Sequence, residues 1–438
     1  MSKNLILLLS ISILFACSNN EWQGETEITK WRDGKKTAIS FTYDDGTINQ
    51  FTTAIPIMDS LGIPATFFII TGKLRHTGPG KFIGRPVEDI IKETASIPTD
   101  ASNLFERASA IGYSGYQGAM SFHTDAGGLI DESEDIESAI KMIDEGYRKI
   151  RAGELKMRED TTRRYSRTDT VTWEDFRRFA ANGHEFGSHT VTHPRLAILD
   201  ETNILYELQR SKEDIARFLG EEHTFSAECP YGTENERVME YAYNIYPALR
   251  NRMPESYLEE LNRSSKLNPL DSEKEYIQWQ RGPLTNITME TMKGWVDTCL
   301  ETDNLWLVLV FHGVDGIGWE ARTGAELKEY FGFIKSKEDQ AWVATFGDVT
   351  KYMRERQNAT VNAKWENNQL KVSVTHSLDA GMYNQPLTLK SYVPDDWNEI
   401  QLKTDQSEIP IVPMNDEKGT YVLYNAIPGL NYDLLKLD

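Results

Sequence analysis

The sequence predicts an α/β protein: a distorted (β/α) barrel of about seven or eight strands with a long insertion, followed by a small all-β sandwich. Apolar, β-rich segments alternate with helical patterns over residues 35–357, which is typical of parallel strands covered by helices. The alternation pauses at about residues 73–167, which indicates the insertion. Over residues 358–438 the apolar period becomes two, as in antiparallel sheets.

The predicted barrel elements follow one another in a regular order. The first strand is followed by a helix that ends at a glycine, and then by a second strand. After the insertion, a helix that Thr172 caps restores the same rhythm. The strands predicted in this way are "TAISFTY", "PATFFII", "HEFGSH", "HTFSAECP", "YPALRN", "YIQWQ", "NLWLVLVFH" and "AWVATF".

The N-terminus has the pattern of an export signal. Lys3 precedes the apolar run 5–16, which is shorter than the about 20 residues that span a bilayer. The residues "LFAC" resemble the lipobox of bacterial lipoproteins, so we expect residues 1–16 to be removed and Cys17 to carry lipid. The alternative is an ordinary cleaved signal with an incidental cysteine. Residues 17–34 would then be a polar tether, and the protein would face the periplasm or the cell surface.

The charge of the chain narrows the classes of partner. With 67 acidic and 47 basic side chains among 438 residues, the formal net charge is -20. This charge argues against a nucleic-acid partner and against a polybasic membrane patch, so the lipid anchor is the only membrane contact that we expect. Besides Cys17, only Cys229 and Cys299 remain, which predicts no disulfide framework. The oligomeric state stays open.

Polar residues follow several of the predicted strands, which is where the active site of a β/α barrel lies. His189 and His193 have the H-x-x-x-H spacing of paired metal ligands. One carboxylate added to two histidines suits a divalent ion such as Zn²⁺ and leaves a coordination position open for water. Of the adjacent Asp44 and Asp45, one would bind the ion and the other would act as a base.

Four motifs in order resemble those of the polysaccharide deacetylase family, also called the NodB-homology domain or carbohydrate esterase family 4. The resemblance covers roughly residues 35–356 apart from the insertion, and it implies a distorted barrel and metal-dependent removal of acetyl groups from sugars. The motifs in this chain are "TYDDG", "HTVTH", "PYG" from Pro230, and "LVFH" from Leu309 to His312.

The resemblance also implies a role for each matching residue. The expected metal ligands are Asp45, His189 and His193, and the expected ion is Zn²⁺, with Co²⁺ or Ni²⁺ as alternatives. Asp44 would be the general base and His312 the general acid. The backbone N–H of Tyr231 would stabilise the oxyanion, and Leu309 would line the pocket for the acetyl methyl group.

The chain departs from the family pattern at two places. Glu228 stands where the family usually has an arginine, which reverses the charge expected to hold the base. Arg281, at the end of a predicted strand, is the candidate replacement. The tryptophan-bearing fourth motif has no clear match, although Trp279 in "IQWQRG" occupies a plausible place.

The leading hypothesis is therefore an exported, metal-dependent deacetylase acting on an acetylated polysaccharide or oligosaccharide, with N-acetyl groups favoured over O-acetyl groups. One alternative is an inactive glycan-binding surface lipoprotein, which Glu228 and the sandwich would suit. Another is an O-acetyl esterase or an amidase on a smaller substrate. The presence of both Asp44 and His312 favours an active enzyme.

Overall fold

The computed structural model describes residues 23–158 and 171–437, and these residues form two compact units. The larger unit comprises Lys30–Gln357 and Leu378–Gln385. The smaller unit comprises Asn358–Ser377, Pro386–Asp438 and the N-terminal segment that ends at Thr29. The predicted signal peptide and Cys17 lie outside the described residues. Within the described ranges, no helix has the length and apolar character that a membrane span requires.

The predicted tether, residues 17–34, is structured in its described part. Thr26–Ile28 forms strand β1, which pairs antiparallel with a strand of the smaller unit between Thr26 and Ser391 and between Ile28 and Leu389. Backbone pairing with a segment more than 350 residues later is a long-range contact that local sequence patterns do not encode. The assignment of residues 26–28 to a tether is therefore wrong.

The larger unit is built on one parallel sheet of nine strands, which confirms the predicted distorted (β/α) barrel. Eight strands follow the order β6-β5-β4-β3-β2-β9-β8-β7, and β10 pairs with the beginning of β2. The strands are β2 (Thr37–Tyr43), β3 (Thr66–Ile69), β4 (Glu185–Ser188), β5 (Ser226–Ala227), β6 (Ala248–Leu249), β7 (Leu258–Leu261), β8 (Tyr276–Arg281), β9 (Leu305–Phe311) and β10 (Ala341–Val343).

The helices of the larger unit cover the outside of this sheet. Along β2, Phe41 and Tyr43 point into the apolar layer beneath the helices, while Thr42 points to the other face. The ring of Tyr43 stacks on Phe67 at 5.2 Å and on Phe311 at 5.1 Å, so neighbouring strands share one aromatic layer. The helices are α1 (Ile55–Leu61), α2 (Val87–Glu93), α3 (Leu104–Tyr113), α4 (Ala119–Ser133), α5 (Ile136–Arg151), α6 (Trp173–Ala181), α7 (Glu201–Phe218), α8 (Glu236–Ala242), α9 (Met289–Cys299), α10 (Gly324–Lys335) and α11 (Phe346–Asn358).

The predicted insertion contains helices α2 to α5, which have an apolar core of their own. Ile111, Ala126 and Ile143 are buried in this core together with Ile198, which belongs to the segment after strand β4. An ion pair of 3.3 Å between Arg195 and Asp131 joins the same segment to α4. The insertion therefore packs against the chain that immediately follows His193.

The smaller unit consists of two antiparallel sheets, in the orders β1-β13-β17-β16 and β11-β12-β18-β14-β15. Buried and exposed residues alternate along β12 and β17, so each of these strands has one apolar face. Tyr424 of β17 and Tyr432 of β18 bring the two sheets together, with ring centroids 5.9 Å apart. The strands are β11 (Thr360–Glu366), β12 (Gln369–Thr375), β13 (Leu387–Tyr392), β14 (Ile400–Lys403), β15 (Glu408–Ile411), β16 (Met414–Asp416), β17 (Gly419–Ala426) and β18 (Asn431–Lys436).

Candidate active site

The residues that follow the parallel strands meet on one rim of the barrel, as the carboxyl ends of parallel strands do. Asp44 follows β2, His189 follows β4 and His312 follows β9. Two further residues complete the set, because Glu228 follows β5 and Arg250 follows β6. The sequence-based prediction that Asp44, Asp45, His189, His193 and His312 lie together is confirmed by the contacts described below.

Asp45, His189 and His193 form a cluster that could hold a metal ion. Asp45 Oδ1 lies 3.8 Å from His189 Nε2 and 3.3 Å from His193 Nε2, and the three donor atoms lie within 4.8 Å of one another. The two imidazole rings meet edge to face at 4.7 Å between centroids. His189 is buried, while Asp45 and His193 are each 21% exposed at the side chain, so the cluster opens towards solvent on one side.

The chemistry of these donors fits a divalent cation. The Nδ1–H of His189 donates to the backbone carbonyl of Glu228 at 2.9 Å, which leaves the lone pair of Nε2 facing Asp45. Burial, and then the neighbouring His193, lowers the pKa of His189 to about 4, while burial and Lys73 lower the pKa of His193 to about 3. Both rings are therefore neutral near pH 7. Donor atoms around an ion with bonds of about 2.0–2.2 Å lie about 3.3–3.6 Å apart, close to the spacing seen.

Four residues around the cluster have a left-handed backbone, which is uncommon outside glycine. Their φ angles are 75° at Asp45, 64° at Thr190, 63° at His193 and 64° at Tyr231. The hydroxyl of Thr190 accepts a hydrogen bond of 3.0 Å from the backbone N–H of His193, which closes the turn between the two histidines. Such conformations cost free energy and persist where the surrounding structure enforces them, as functional sites do.

Asp44, the neighbour of Asp45 in the chain, is almost completely buried. Arg250 donates from Nη1 to Oδ1 at 2.7 Å and from Nη2 to Oδ2 at 2.8 Å, a two-point contact that fixes the carboxylate plane. His312 Nε2 lies 3.3 Å from Asp44 Oδ2. Burial favours the neutral acid, but Arg250 and then His312 outweigh it and hold the pKa of Asp44 below its ordinary value. Asp44 is therefore an oriented, ionised carboxylate.

Arg250 provides the positive charge that the sequence lacks at position 228. Its Nη2 also lies 2.9 Å from Glu228 Oε1, so one guanidinium bridges Asp44 and Glu228. Arg281, the predicted replacement, does not contact Asp44: its guanidinium stacks over the Trp279 ring at 4.5 Å and donates to the backbone carbonyl of Gln280. The prediction that Arg281 replaces the missing arginine beside Asp44 is therefore wrong. The residues of β8 that face the interior are Gln278 and Gln280, and both donate to the backbone carbonyl of Arg250.

Glu228 itself sits in a buried polar group of side chains. Asn251 donates to Glu228 Oε1 at 2.6 Å and to Glu234 Oε1 at 3.0 Å, so one amide joins the two acids. Burial raises the pKa of Glu228 above its ordinary range, against the opposing effect of Arg250. Burial and the neighbouring Glu228 also raise the pKa of Glu234. The ionised partner of Arg250 is therefore Asp44.

Aromatic rings flank both halves of the site. The ring of Tyr231 lies 4.8 Å from that of His193, and the guanidinium of Arg195 lies over Tyr231 at 4.7 Å. On the other side, Trp319 meets His312 edge to face at 4.7 Å. Trp319 is 51% exposed, and Tyr231 is exposed to a similar degree. These two rings border the access to the site, and Trp319 did not figure in the sequence-based predictions.

Leu309 and Trp279 do not lie where the sequence predicted. Both are buried in the apolar layer between the sheet and the helices, together with Leu307 and Ile277. Side chains alternate along a strand, so Leu309 points to the face opposite that of Val310 and of the rim residue His312. Their assignment to a substrate pocket is therefore wrong.

Comparison with known proteins agrees with the geometry of the rim. Residues 32–103 and 142–245 match the model of the polysaccharide deacetylase family. The chain contains a polysaccharide deacetylase domain. The matched part of this deacetylase domain includes Asp44, Asp45, both histidines of the cluster and Tyr231, whereas Arg250 and His312 lie beyond it.

Individual relatives of the deacetylase domain are distant. A gellan lyase from a Bacillus species is 25% identical over 272 residues, which is 58% of this chain and 11% of that protein, so this chain spans about one-tenth of its length. A chitin deacetylase from Colletotrichum lindemuthianum is 14% identical, covering 72% of this chain and 87% of that one at a TM-score of 0.33. A family 4 carbohydrate esterase from Bacillus anthracis is 13% identical, covering 75% and 86% at a TM-score of 0.33.

Two features of the deacetylase domain were missed in the sequence although a signal for each was present. Arg250 is the second-last residue of the predicted strand "YPALRN", so it belongs to the same class of strand-end polar residues as Asp44 and His312. Trp319 follows His312 in a loop that returns to it, because the N–H of Gly313 donates to the Trp319 carbonyl at 2.8 Å. A survey of the polar residues in and directly after the last positions of each predicted strand would have found the first of these.

Proposed function

We propose that the chain is a metal-dependent carbohydrate deacetylase that hydrolyses acetyl groups on a glycan. One observation carries the proposal: an ionised Asp44, oriented by Arg250 and next to His312, lies on the same rim as the donor cluster of Asp45, His189 and His193. The two sets provide proton transfer and metal binding side by side, which hydrolysis of an acetyl group requires.

A divalent ion held by Asp45, His189 and His193 would polarise the acetyl carbonyl and make water more acidic. Zn²⁺ suits two imidazoles and one carboxylate, and Co²⁺ and Ni²⁺ accept the same donors. The two histidine ligands are held in place, because His189 donates to the Glu228 carbonyl and the hydroxyl of Thr190 closes the turn before His193.

The protein side of the reaction is a proton relay between two atoms. Asp44 accepts at a carboxylate oxygen the proton that the attacking water loses as its oxygen bonds to the acetyl carbon. His312 Nε2, 3.3 Å from Asp44 Oδ2, takes up that proton and donates it to the sugar nitrogen or oxygen as its bond to the acetyl carbon breaks, which releases acetate and leaves an amine or hydroxyl on the sugar. Burial lowers the pKa of His312, so the ring is neutral before the reaction and can accept the proton. Arg250 is a positioning residue that keeps Asp44 ionised and aligned.

N-acetyl groups are the favoured target, as the family resemblance implies, and O-acetyl esters or a small amide are the alternatives. The name of the gellan lyase relative also refers to a polysaccharide, which supports a glycan substrate. The other alternative, an inactive glycan-binding protein, was motivated by Glu228 and the sandwich. Since Arg250 supplies the guanidinium that Glu228 lacks, the argument from Glu228 is removed, and the argument from the C-terminal sandwich stays.

We also propose that the protein is exported and anchored by lipid on Cys17, which lies outside the described residues. The support is the sequence "LFAC" at the end of a short apolar run. Cys17→Ser should move the protein from the membrane to the soluble fraction of cells. Membrane fractionation of the variant, or recovery of a mature protein that retains residues 1–16, would contradict the anchor.

The test of the proposed activity is acetate release from acetylated glycans by the metal-loaded protein, followed by mass spectrometry of the products. Loss of one acetyl mass per cleaved group is expected, and chitin, peptidoglycan and xylan fragments distinguish N-acetyl from O-acetyl substrates. A variant that lacks the base, Asp44→Asn, is the control for contaminating activity. The proposal fails if no acetylated substrate loses acetate, or if the variant is as active as the wild type.

A further inference from the structure

A wide cleft of about 980 Å³ adjoins the candidate site. Tyr231 and Trp319 are in its wall, and these are the rings that lie 4.8 Å from His193 and 4.7 Å from His312. Through these two rings, the cleft adjoins both the donor cluster and the proton-transfer pair. A volume of this size exceeds what one acetyl group needs and fits several sugar residues.

The charge of the cleft is opposite to that of the chain. Its wall contains four basic side chains, and Glu234 is its one carboxylate. Burial and the neighbouring Glu228 raise the pKa of Glu234, so this carboxyl adds little negative charge. The whole chain has a formal net charge of -20. A random patch of such a surface would be acidic, whereas a basic cleft raises the local concentration of anions. The four basic side chains are Arg252, Arg263, Lys266 and Arg281.

Three of these cations are available to a ligand. Arg252 is paired with Glu236. Among residues 23–158 and 171–437, Arg263, Lys266 and Arg281 take part in no ion pair with a carboxylate, and Arg263 and Lys266 are exposed. Arg263 lies over the Trp319 ring at 5.7 Å. It is therefore directed to the wall that borders His312.

We propose that this cleft binds an anionic glycan and that Arg263, Lys266 and Arg281 bind carboxylate groups on its sugars. The inference rests on the proposed deacetylase function and narrows its substrate class to acetylated glycans that contain uronic acids. Guanidinium groups match the two oxygens of a carboxylate. The exposed rings of Tyr231 and Trp319 provide apolar surfaces for sugar rings between the charges.

Binding can be measured without the acetyl reaction. The probes are a galacturonate hexasaccharide, a neutral xylose hexasaccharide and a sulfated hexasaccharide, titrated calorimetrically into the full-length protein at about 50 mM and about 500 mM salt. We expect the galacturonate to bind at least about tenfold more tightly than the neutral sugar at low salt, and to lose most of this advantage at high salt. Equal affinity for the charged and neutral sugars would overturn the proposal. Tighter binding of the sulfated sugar would overturn the carboxylate assignment.

Two variants and one control locate the binding site. Arg263→Gln and Lys266→Gln should each lower the affinity for the galacturonate by about five- to tenfold, as the loss of one charge-assisted contact does. Lys328→Gln removes one charge from an exposed position of helix α10 outside the cleft and should leave the affinity unchanged. An equal loss in Lys328→Gln and Lys266→Gln would show that only the overall charge matters, and would overturn the assignment.

A kinetic comparison separates this inference from the proposed function. The substrates are charged and neutral acetylated glycans compared in pairs, O-acetylated polygalacturonate with O-acetylated xylan for esters and hyaluronan with chitin oligosaccharides for N-acetyl groups, and the quantity is the ratio of their kcat/KM values within each pair. A ratio above about ten that falls in Arg263→Gln supports the inference. Acetate release from both members of a pair at equal kcat/KM would overturn the inference and leave the deacetylase function intact. Tight, charge-dependent binding of galacturonate with no acetate release from any substrate would overturn the function and leave the binding site intact.

Discussion

Asp44 and Asp45 are adjacent like charges that the structure separates into two environments. Asp44 continues the interior face of β2 and meets Arg250, with its N–H still bonded to the Phe311 carbonyl at 3.0 Å. Asp45 takes a φ of 75°, which turns its side chain away from the strand and towards His193. One left-handed residue therefore places two neighbouring carboxylates in separate environments, which suits their proposed roles in proton transfer and metal binding.

Removing either proton-transfer group should abolish most activity while the metal remains bound. Asp44→Asn keeps the shape of the side chain but cannot accept a proton. His312→Ala removes the group that donates a proton to the sugar nitrogen or oxygen. Each should lower kcat by about 10²- to 10⁴-fold. Metal content by elemental analysis and the circular dichroism spectrum should stay those of the wild type. Loss of metal in either variant would mean that the residue belongs to the donor cluster instead.

Removing residues of the donor cluster should have the opposite effect, namely loss of the metal. His189→Ala combined with His193→Ala removes two of three ligands, so the purified protein should contain less than about one-tenth of the wild-type metal. His376→Ala, in the smaller unit, is the matched control and should retain the full amount. Equal metal content in the double variant and the control would place the ion elsewhere.

Arg250 should act on kcat rather than on substrate binding, because it contacts Asp44 and not the open cleft. Arg250→Gln removes both the two-point partner of Asp44 and the positive charge that keeps this buried carboxyl ionised, and we expect kcat to fall by about 10²-fold at nearly constant KM. The paired change Glu228→Arg with Arg250→Glu returns the arginine to the position usual in the family. It should recover activity relative to Glu228→Arg alone, which would place two guanidinium groups side by side.

The recovery of activity in the paired variant distinguishes a role of the arginine in positioning Asp44 from a role in the stability of the fold. Removing one partner of a buried ion pair typically destabilises a protein by about 3–5 kcal/mol, so unfolding must be followed in parallel. A paired variant that folds like the wild type but has no more activity than Glu228→Arg alone would contradict the positioning role.

At the scale of strands and helices, the sequence predicted which residues lie on the same rim but not which of them are in direct contact. Parallel strand ends share a rim, so the end of each apolar run identified Asp44, His189 and His312. The partner of Asp44 depended on the curvature of the sheet. β6 lies four strands from β2, further than β8, yet the interior of a curled sheet lets Arg250 reach across it.

The alternation of side chains along a strand explains the two wrong predictions of pocket residues. Leu309 and Trp279 were chosen by motif, but the alternation along β9 and β8 places both side chains beneath the helices. In β8 the alternation could have been read from the polar Gln278 and Gln280 on either side of Trp279, whereas β9 is apolar at every position and has no such pattern. By contrast, the left-handed residues Asp45, His193 and Tyr231 had at most a weak signal in the sequence, because aspartate and histidine adopt this conformation more often than most residues but far less often than glycine.

Helices α3 and α4 hold the segment that follows His193 through one neutral histidine. His123 Nδ1–H donates to the Ala108 carbonyl at 2.9 Å, and Nε2 accepts from the backbone N–H of Arg195 at 3.2 Å. Both nitrogens are used by the neutral ring, and a second proton would remove the acceptor. Burial lowers the pKa of His123 to about 4.

The stability of this contact should therefore decline in acid. Above the ordinary histidine pKa of about 6.5, neither state of the protein binds the proton, and the contribution is complete. As the pH falls towards 4, the unfolded chain takes up a proton that the fold excludes, and by pH 5 the loss should be about 2 kcal/mol. Urea unfolding at pH 7.5 and at pH 5 measures it. In His123→Gln this part of the pH dependence should vanish, and an unchanged difference between the two pH values would contradict the assignment.

At the scale of the whole molecule, the change of period at residue 357 coincides with the end of the continuous part of the larger unit. Two segments belong to a different unit from their neighbours in the sequence. Strand β1 joins the smaller unit from the N-terminus, and Leu378–Gln385 joins the larger unit from within the C-terminal region. Local period and composition describe neighbours along the chain, so neither pairing had a signal in the sequence.

A chain shortened to residues 30–357 should fold but lose part of its stability. It contains the whole nine-stranded sheet and all the residues of the candidate site. It lacks the contacts of Leu378–Gln385, in which Tyr383 accepts from Arg354 at 3.1 Å and lies against Phe225, and Gln385 donates to Asp348 at 3.0 Å. We expect metal binding to be retained and the unfolding temperature to fall by about 5–10 °C.

Tyr383→Ala in the full-length chain separates this segment from the rest of the C-terminal region. It removes the hydroxyl and the ring from the surroundings of Arg354 and Phe225 and keeps the smaller unit, so it should reproduce part of the loss. A shortened chain that aggregates without binding metal, beside a stable Tyr383→Ala protein, would show that the barrel needs the smaller unit to fold. A shortened chain as stable as the full-length protein would show instead that Leu378–Gln385 contributes nothing to the barrel, since every contact it makes there would have been removed at no cost.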